Sequence, residues 1–219
     1  KHRNTYTAAI KSAGAPMGFI TEEDNFADYP FIVAPAYQLI DQKLVGKWQK
    51  YVENGGNLIL TCRTGQKDKN GHFFEANWSA PIVPLIGADV EFFDMLVADV
   101  NGTVKAGENS YKWNTWADVL NPKKGTEVLA TYEDQFYKGN AAATTRKLGK
   151  GTVTYVGVES NDGDFEKQIV RTIYSRANVA IEDLPKGVFI EWRDGFYVGV
   201  NYTSEPINLP IPKGSKIVV

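Results

Sequence analysis

Residues 52–71 read VENGGNLILTCRTGQKDKNG and contain a helix end, an apolar strand and the loop that follows it. Gly55 and Gly56 are typical of a helix C-terminus, because glycine adopts the left-handed conformation there at little cost. The apolar run 58–60 then predicts a strand buried on both faces of a sheet. In an open α/β sheet, ligands usually bind at the loop after the carboxyl end of such a strand. The segment CRTG at 62–65 is therefore the first place to look for chemistry.

Strands and helices alternate around this segment. Residues 31–35, FIVAP, predict another buried strand, and Asp41 is a suitable N-cap for the helix that ends at Gly55. A helix from Asn4 and a strand over 17–20 come before them. Because strand, helix and strand in this order form a right-handed crossover, we expect an α/β fold with a doubly wound, mostly parallel sheet.

The middle of the chain has antiparallel features. Residues 88–100 alternate between apolar and polar, and Asn101-Gly102 predicts a two-residue hairpin to a strand at 103–106. Further strands are predicted at 127–132, 141–148 and 152–158, followed by a helix capped by Asp162 or Asp164.

The end of the chain predicts strands and turns only. A linker near Pro185 separates residues 1–181, the α/β domain, from a small antiparallel β domain at 182–219. Its predicted strands lie at 188–192, 196–202, 207–211 and 216–219, with a hairpin at Asp194-Gly195. We expect its core to contain Trp192, Phe196, Tyr197 and Tyr202.

Composition excludes several classes of function. The 219 residues are 43% hydrophobic, enough for a substantial core, and a net charge of -2 provides no basic surface for nucleic acid or anionic lipid. No apolar run is long enough to span a membrane, so we expect a soluble protein without nucleic-acid or membrane partners. One cysteine and two histidines predict neither a disulfide nor a metal site, and no cofactor is expected. Localisation, cytoplasmic or exported, stays open.

Four motifs in order resemble a known family. They are YPFIVAP at 29–35, YVENGG at 51–56, LTCRTGQKD at 60–68 and LIGADVE at 85–91, and the tail adds YVGVNYT at 197–203. Together they are similar to family 42 glycoside hydrolases, which are β-galactosidases with a catalytic (β/α)8 barrel, a trimerisation domain and a small β domain. The resemblance covers the second and third of these. It implies a middle domain whose flavodoxin-like fold is similar to class I glutamine amidotransferases, and a homotrimer.

The same resemblance implies that catalysis lies outside this chain. The family's first strand and its barrel have no counterpart here, so we expect a fragment without catalytic residues, whose partners are its own barrel and identical subunits. A retaining glycosidase needs two carboxyl groups about 5–5.5 Å apart on a rigid scaffold, and no such pair can be nominated. Galactosides would be bound only by the parent enzyme.

Cys62 supports an alternative function. A cysteine at the end of a strand could be the nucleophile of an amidotransferase-like enzyme, activated by a nearby histidine. The glycine-flanked turn of such enzymes is incomplete here, and His2 and His72 are the only candidate bases. Cysteine is also among the residues most often simply buried. We interpret Cys62 as structural and keep the enzyme as the alternative.

The polar residues of the following loop are candidates for an interface or a substrate cleft. Arg63, Lys67, Asp68 and His72 could form a solvated turn, with Asn70-Gly71 supplying the left-handed positions. Alternatively the loop lies at a subunit contact, where an arginine could pair with a carboxylate of another domain or subunit.

Aromatic residues offer a third possibility, a carbohydrate-binding module. Tryptophan and tyrosine faces bind sugars, but the same residues are also enriched in protein interfaces and cores. The candidates are Trp78, Tyr111, Trp113, Trp116 and the pair Phe136-Tyr137.

Overall fold

The computed structural model describes residues 2–216, apart from the side chain of Arg193. The chain forms two compact units. Unit 1 contains Ile20–Asp162 together with residues 2 and 3, and unit 2 contains Asn4–Phe19 and the residues from Gly163 onward. The predicted strand at 216–219 falls almost wholly outside the described residues.

The elements follow the chain in this order. The helices are α1 (His2–Ser12), α2 (Gln42–Glu53), α3 (Val83–Ile86) and α4 (Asp164–Arg176). The strands are β1 (Phe31–Ala34), β2 (Asn57–Thr61), β3 (Ala88–Asp94), β4 (Gly102–Ala106), β5 (Asn109–Pro122), β6 (Thr126–Tyr132), β7 (Ala141–Leu148), β8 (Gly151–Val156), β9 (Val158–Ser160), β10 (Val188–Arg193) and β11 (Phe196–Asn201).

Unit 1 contains a mixed sheet of nine strands in the order β1-β2-β8-β7-β6-β4-β5-β3, with β9 paired to β5. Strands β1, β2 and β8 are parallel, with Ile32 opposite Leu58 and Leu60 opposite Tyr155. The antiparallel pairings are those among strands β3 to β7, that of β7 with β8 and that of β5 with β9. The α/β class is confirmed, but the prediction of a mostly parallel sheet is wrong. Strands joined by short turns, such as Gly149-Lys150, pair antiparallel because a parallel pair needs a long crossover.

The predicted strand-helix-strand unit is confirmed. The Asp41 Oδ1 atom accepts a hydrogen bond from the Leu44 backbone N–H at 2.8 Å, so Asp41 caps α2. Helix α2 then buries Trp48 and Val52 in a core that includes β1 and β2. This unit fixes where the carboxyl end of β2 lies.

The hairpin predicted at Asn101-Gly102 does not form. Strands β3 and β4 both pair with the long strand β5, whose first part pairs with β4 and whose last part pairs with β3. Gly102 is the first residue of β4, and a Cβ there would lie 2.4 Å from Nε1 of the buried Trp113. Glycine is needed at this position because of close packing and not because of a turn.

Two other local predictions are corrected. Residues 17–20 form no strand, and Phe19 is 73% exposed, so their apolar side chains do not define a buried face. Helix α4 is preceded by Gly163, with φ 87°, in place of an aspartate side-chain cap, and Asp164 lies in its first turn. There its negative charge is favourable near the N-terminal end of the helix dipole.

Unit 2 contains the small sheet of β10 and β11. The hairpin at Asp194-Gly195 is confirmed, and both residues have positive φ. The small core consists of Leu184, Val188 and Ile190, with Tyr197, Ile207 and Leu209 packed against it. Trp192, Phe196 and Tyr202 are exposed, so the prediction that they fill this core is wrong. They remain exposed because a two-stranded sheet has two faces, and its own short segment can cover only one of them.

Candidate interface at the carboxyl edge of the parallel strands

The chain turns sharply where β2 ends. The Cys62 backbone N–H donates to Val156 O at 2.7 Å, and the Thr64 backbone N–H closes the turn on Thr61 O at 3.1 Å. The residue with left-handed backbone geometry in this turn is Arg63, with φ 68°. The strained position of the strand-to-loop turn therefore belongs to Arg63 and not to Cys62.

Asp118, on β5, holds this turn from inside the protein. Its Oδ2 atom accepts hydrogen bonds from the Arg63 backbone N–H at 3.0 Å and from the Tyr155 hydroxyl at 2.7 Å, and its Oδ1 atom accepts one from Trp116 Nε1 at 2.8 Å. Burial raises the pKa of the Asp118 carboxyl, although the three donors act in the opposite direction. Asp118 thus joins the turn after β2, strand β5 and strand β8.

The thiol of Cys62 lies inside the protein, with 1% of the residue exposed. The two histidines lie in different settings. The Nε2 atom of His2 is 2.8 Å from Thr61 Oγ1 and its Nδ1 atom is 3.7 Å from a Glu159 oxygen. The ring of His72 is largely exposed and its Nδ1 atom lies 3.6 Å from Asp68 Oδ2. These placements favour the structural interpretation of Cys62 over the nucleophilic one, since a nucleophile must be reached by its substrate.

Four aromatic rings form a continuous stack beside the turn. We call this group, Phe73, Trp78, Phe93 and Trp116, the aromatic stack. The ring centroids of Trp78 and Phe93 are 4.6 Å apart, as are those of Phe93 and Trp116. Phe73 stacks on Trp78 at 5.9 Å. The rings come from the loop after β2, from β3 and from β5, so the stack joins three parts of unit 1.

A cation covers each end of the aromatic stack. The Arg63 guanidinium carbon lies 4.4 Å from the centre of a Trp116 ring, and Lys67 Nζ lies 4.7 Å from the centre of the Phe73 ring. Both distances suit cation–π attraction. The sequence predicted Arg63 and Lys67 as candidates, and the structure brings both to one surface feature.

The aromatic stack is partly exposed to solvent. Phe73 is 57% and Phe93 41% exposed, whereas Trp116 is nearly buried. The Nε atom of Arg63 and the Nε1 atom of Trp78 are buried without a hydrogen-bond partner among the described residues. The rings of Trp78 and Trp116 also lie 6.3 Å apart, so Trp78, Phe93 and Trp116 form a compact group. A sugar stacks on an accessible ring face, and one face of Trp116 and one of Phe73 are each occupied by a cation, so this geometry favours protein contact over the carbohydrate-binding alternative.

Asp68 and His72 form a local turn. The Asp68 Oδ1 atom accepts hydrogen bonds from the backbone N–H groups of Asn70 and His72, both at 2.9 Å. The His72 backbone hydrogen bond is the main cause that lowers the pKa of the Asp68 carboxyl. These two candidates shape the loop that carries Lys67 and Phe73.

The remaining aromatic candidates divide into buried and exposed residues. Trp113 and Tyr137 are buried, Tyr111 is half-buried, and Phe136 is 84% exposed. The sequence did not single out Phe73 or Phe93. Their adjacency to other aromatics was visible at 73–74 and 92–93, but it did not show which face each ring would take.

A second polar cluster lies at the same edge and was not predicted. The Glu22 carboxylate accepts hydrogen bonds from the Tyr37 hydroxyl and the Lys69 ammonium group. Burial alone would raise the pKa of Glu22, but these donors outweigh it and lower the pKa. Beside the cluster is an open cavity of about 400 Å³, lined by Glu22, Ala36, Tyr37, Gln38, Leu39 and Lys69.

Residues 2–216 contain neither a cluster of metal ligands nor a helix suited to a membrane. No group of three or more histidine, cysteine, aspartate or glutamate residues in this range could hold a metal ion. None of the helices described here combines the length and the apolar composition needed to cross a membrane.

The sequence comparisons and the structure comparison lead to the same kind of protein. Residues 1–180 match the family model described as a β-galactosidase trimerisation domain. β-Galactosidase BgaH of Haloferax lucentense is 31% identical over 96% of this chain, which corresponds to 32% of BgaH. β-Galactosidase BglY of Alicyclobacillus acidocaldarius is 32% identical over 90% of this chain and 30% of BglY. The structure of the β-galactosidase from Halorubrum lacusprofundi superposes with a TM-score of 0.86 at 28% identity, over 93% of this chain and 30% of that one. The chain therefore spans about a third of the length of these relatives.

Proposed function

The chain belongs to the β-galactosidase trimerisation-domain family, and we propose that it is the assembly portion of a glycoside hydrolase and joins identical copies into a trimer. One observation carries this proposal, the family match over residues 1–180. We assign assembly to residues 1–181 and treat 182–219 as the accompanying small β domain.

We infer that the parent protein cleaves terminal β-galactosides in a catalytic barrel outside these 219 residues. The relatives are β-galactosidases about three times as long as the matched region. The sheet of unit 1 is open and mixed, whereas a (β/α)8 barrel is closed and parallel. The substrate would then meet the parent enzyme and not this chain alone.

The class I glutamine amidotransferase-like, flavodoxin-like description of the fold is part of the same proposal. In its support, β1, β2 and β8 are parallel, and a sharp turn with a left-handed residue follows β2. That residue is Arg63, where a catalytic elbow would present its nucleophile. The turn is thus similar in shape to a nucleophile elbow but carries a cation.

Within this function we propose that Arg63 and Lys67 lie at the contact between domains or subunits. Arginine and aromatic side chains are enriched in the centres of protein interfaces, and the aromatic stack supplies both chemistries. Asp68 and His72 would act indirectly by fixing the loop that carries Lys67 and Phe73.

The test is the mass of the 219-residue chain in solution. Analytical ultracentrifugation over a wide range of concentration should show a species of three times 24.3 kDa in equilibrium with monomer. An assay with a chromogenic β-galactoside should show no hydrolysis by the chain. A strict monomer at every concentration would contradict self-sufficient assembly, and hydrolysis would contradict the placement of catalysis elsewhere.

A further inference from the structure

The aromatic stack and its two cations form one surface, which we call the basic aromatic face. Neither Arg63 nor Lys67 has a carboxylate within ion-pair distance among residues 2–216. Exposed rings of Phe73 and Phe93 lie between the cations. A surface with exposed aromatic rings and two cations that lack a carboxylate partner is complementary to a protruding apolar side chain flanked by carboxylates.

Such a protrusion exists on the same chain, in the loop between β6 and β7. We call residues 133–137, EDQFY, the acidic loop. Phe136 at its tip is 84% exposed, more than any other large apolar side chain in the described part of the chain. Glu133 and Asp134 precede it, and the Oδ1 atom of Asp134 is buried without a hydrogen-bond partner in the described residues.

Contacts within the same chain hold the acidic loop in place. The Phe136 ring stacks on Phe92 at 5.5 Å, and the Tyr137 hydroxyl donates to Asp94 Oδ2 at 2.7 Å. The backbone closes the loop through Gly139 N–H to Tyr132 O at 2.9 Å. A rigid exposed side chain loses little conformational freedom on binding, which favours affinity.

The two surfaces lie on opposite faces of one edge strand. Phe92 contacts the acidic loop and Phe93 belongs to the aromatic stack, and successive side chains of a strand point to opposite faces. Strand β3 is at the end of the sheet order, and within residues 2–216 it pairs with β5 alone. The acidic loop and the basic aromatic face therefore point away from each other, and each is available to a different molecule.

We propose that the acidic loop of one copy inserts Phe136 into the basic aromatic face of the next copy. This deepens the proposed function and rests on it. Closed rings of three are built from contacts between two different surfaces, so each copy must offer both, as this chain does. The complementary charge selects a second copy as the occupant, since two basic aromatic faces or two acidic loops would repel each other.

The first test removes each half of the contact separately. Phe136→Ser should weaken trimer formation at least tenfold in sedimentation experiments, because the most exposed anchor is lost. Lys67→Glu should weaken it about tenfold by placing like charges together. Phe19→Ser is the matched control, a comparably exposed phenylalanine outside both surfaces, and should leave the association constant unchanged. Circular dichroism should show the same fold for all variants.

The second test distinguishes this contact from others. The Lys67→Glu chain keeps its acidic loop and the Phe136→Ser chain keeps its basic aromatic face, so their mixture should form a one-to-one heterodimer that neither forms alone. Reversing both charges, Lys67→Glu with Asp134→Lys, should restore most of the lost association.

The outcomes separate the two proposals. If the wild-type chain forms trimers that Phe136→Ser and Lys67→Glu do not weaken, this contact is wrong while the assembly function stands. The contact is also wrong if the mixture gives no heterodimer and the double reversal restores nothing, as would hold if the catalytic portion of the parent protein covered this face. A wild-type chain that stays monomeric overturns this contact and contradicts self-sufficient assembly.

Discussion

Asp118 is the residue on which the turn after β2 most depends. Replacing it by alanine leaves the Arg63 backbone N–H, the Trp116 indole N–H and the Tyr155 hydroxyl without their acceptor. Each buried donor left unsatisfied costs about 1–3 kcal/mol, so Asp118→Ala should lower the free energy of unfolding by about 3 kcal/mol or more. Urea denaturation measures this. Asp89→Ala, which removes an exposed carboxylate 3.0 Å from Lys123, should cost at most about 1 kcal/mol, and equal losses would contradict the prediction.

The pH dependence of the same variant follows from the direction of the pKa shift. Burial raises the pKa of Asp118 in the folded protein above its unfolded value of about 3.9. Folding therefore favours the protonated carboxyl. The stability that Asp118 contributes is fully present below the unfolded pKa and is lost as pH rises through the folded pKa. The destabilisation by Asp118→Ala should be larger near pH 4 than at pH 7, and the reverse order would show that hydrogen bonding outweighs burial.

At the residue scale the sequence located the loop after β2 but not what holds it. Arg63 and Lys67 follow a recognisable buried strand, so periodicity alone placed them at the carboxyl edge of the parallel strands. Asp118 lies 55 positions from Arg63, and nothing in its local sequence shows that its carboxylate is buried. Contacts between residues far apart in the sequence leave no local pattern. Cys62 was a candidate only because thiol chemistry is rare among side chains.

At the scale of elements, Gly102 and Gly46 should respond in opposite ways to the same substitution. A Cβ on Gly102 would lie 2.4 Å from Trp113 Nε1, and such overpacking costs about 1–3 kcal/mol. Gly46 lies within α2 with no atom within 4 Å of an added Cβ, so Gly46→Ala should stabilise by about 0.5–1 kcal/mol. Thermal denaturation should show a lower midpoint for Gly102→Ala and a higher one for Gly46→Ala. Equal shifts would contradict the assignment of Gly102 to close packing.

Elements that keep the same neighbours along their length were predictable from the sequence, whereas the pairing of β5 was not. Strand β1, helix α2 and strand β2 have simple apolar patterns because burial does not change along each element: β1 and α2 bury one face, and β2 buries both. Strand β5 changes partner along its length, and its register shifts near Thr115, which has φ 75°. The shift interrupts the alternation of side chains, so the longest strand carries no single period in the sequence.

For the whole molecule, we expect that residues 182–219 do not fold as a separate peptide. Among its described residues, Leu184, Val188 and Ile190 alone form the buried core of the small sheet, too little apolar area to offset the entropy of ordering that segment. Within unit 2, Glu182 N–H donates to Ala13 O at 3.1 Å, and Lys11 pairs with Glu191. The NMR spectrum of the peptide should show narrow amide dispersion, whereas the same residues in the full chain should be dispersed. A folded peptide would contradict this.

The predicted boundary after residue 181 rests on local sequence patterns. A change from helix to strand patterns and the linker near Pro185 were visible in the sequence. The compact unit that contains this tail also includes Asn4–Phe19, from the other end of the chain. No local signal predicts that two segments so far apart will pack together. The balance of charged and apolar residues predicts only that the chain is globular.

The divided pairing of β5 has a kinetic consequence. Its hairpin with β4 closes across a turn at Gly107, a local contact that forms within microseconds, as isolated hairpins do. Its ladder with β3 joins residues further apart in sequence, and this longer loop closes more slowly. Trp116 is carried by the early hairpin strand and Phe93 by the late strand, so their stacking should be among the last events of folding. The fluorescence change that comes from Trp116, one of five tryptophans, would then follow the final consolidation of the molecule and not its initial collapse.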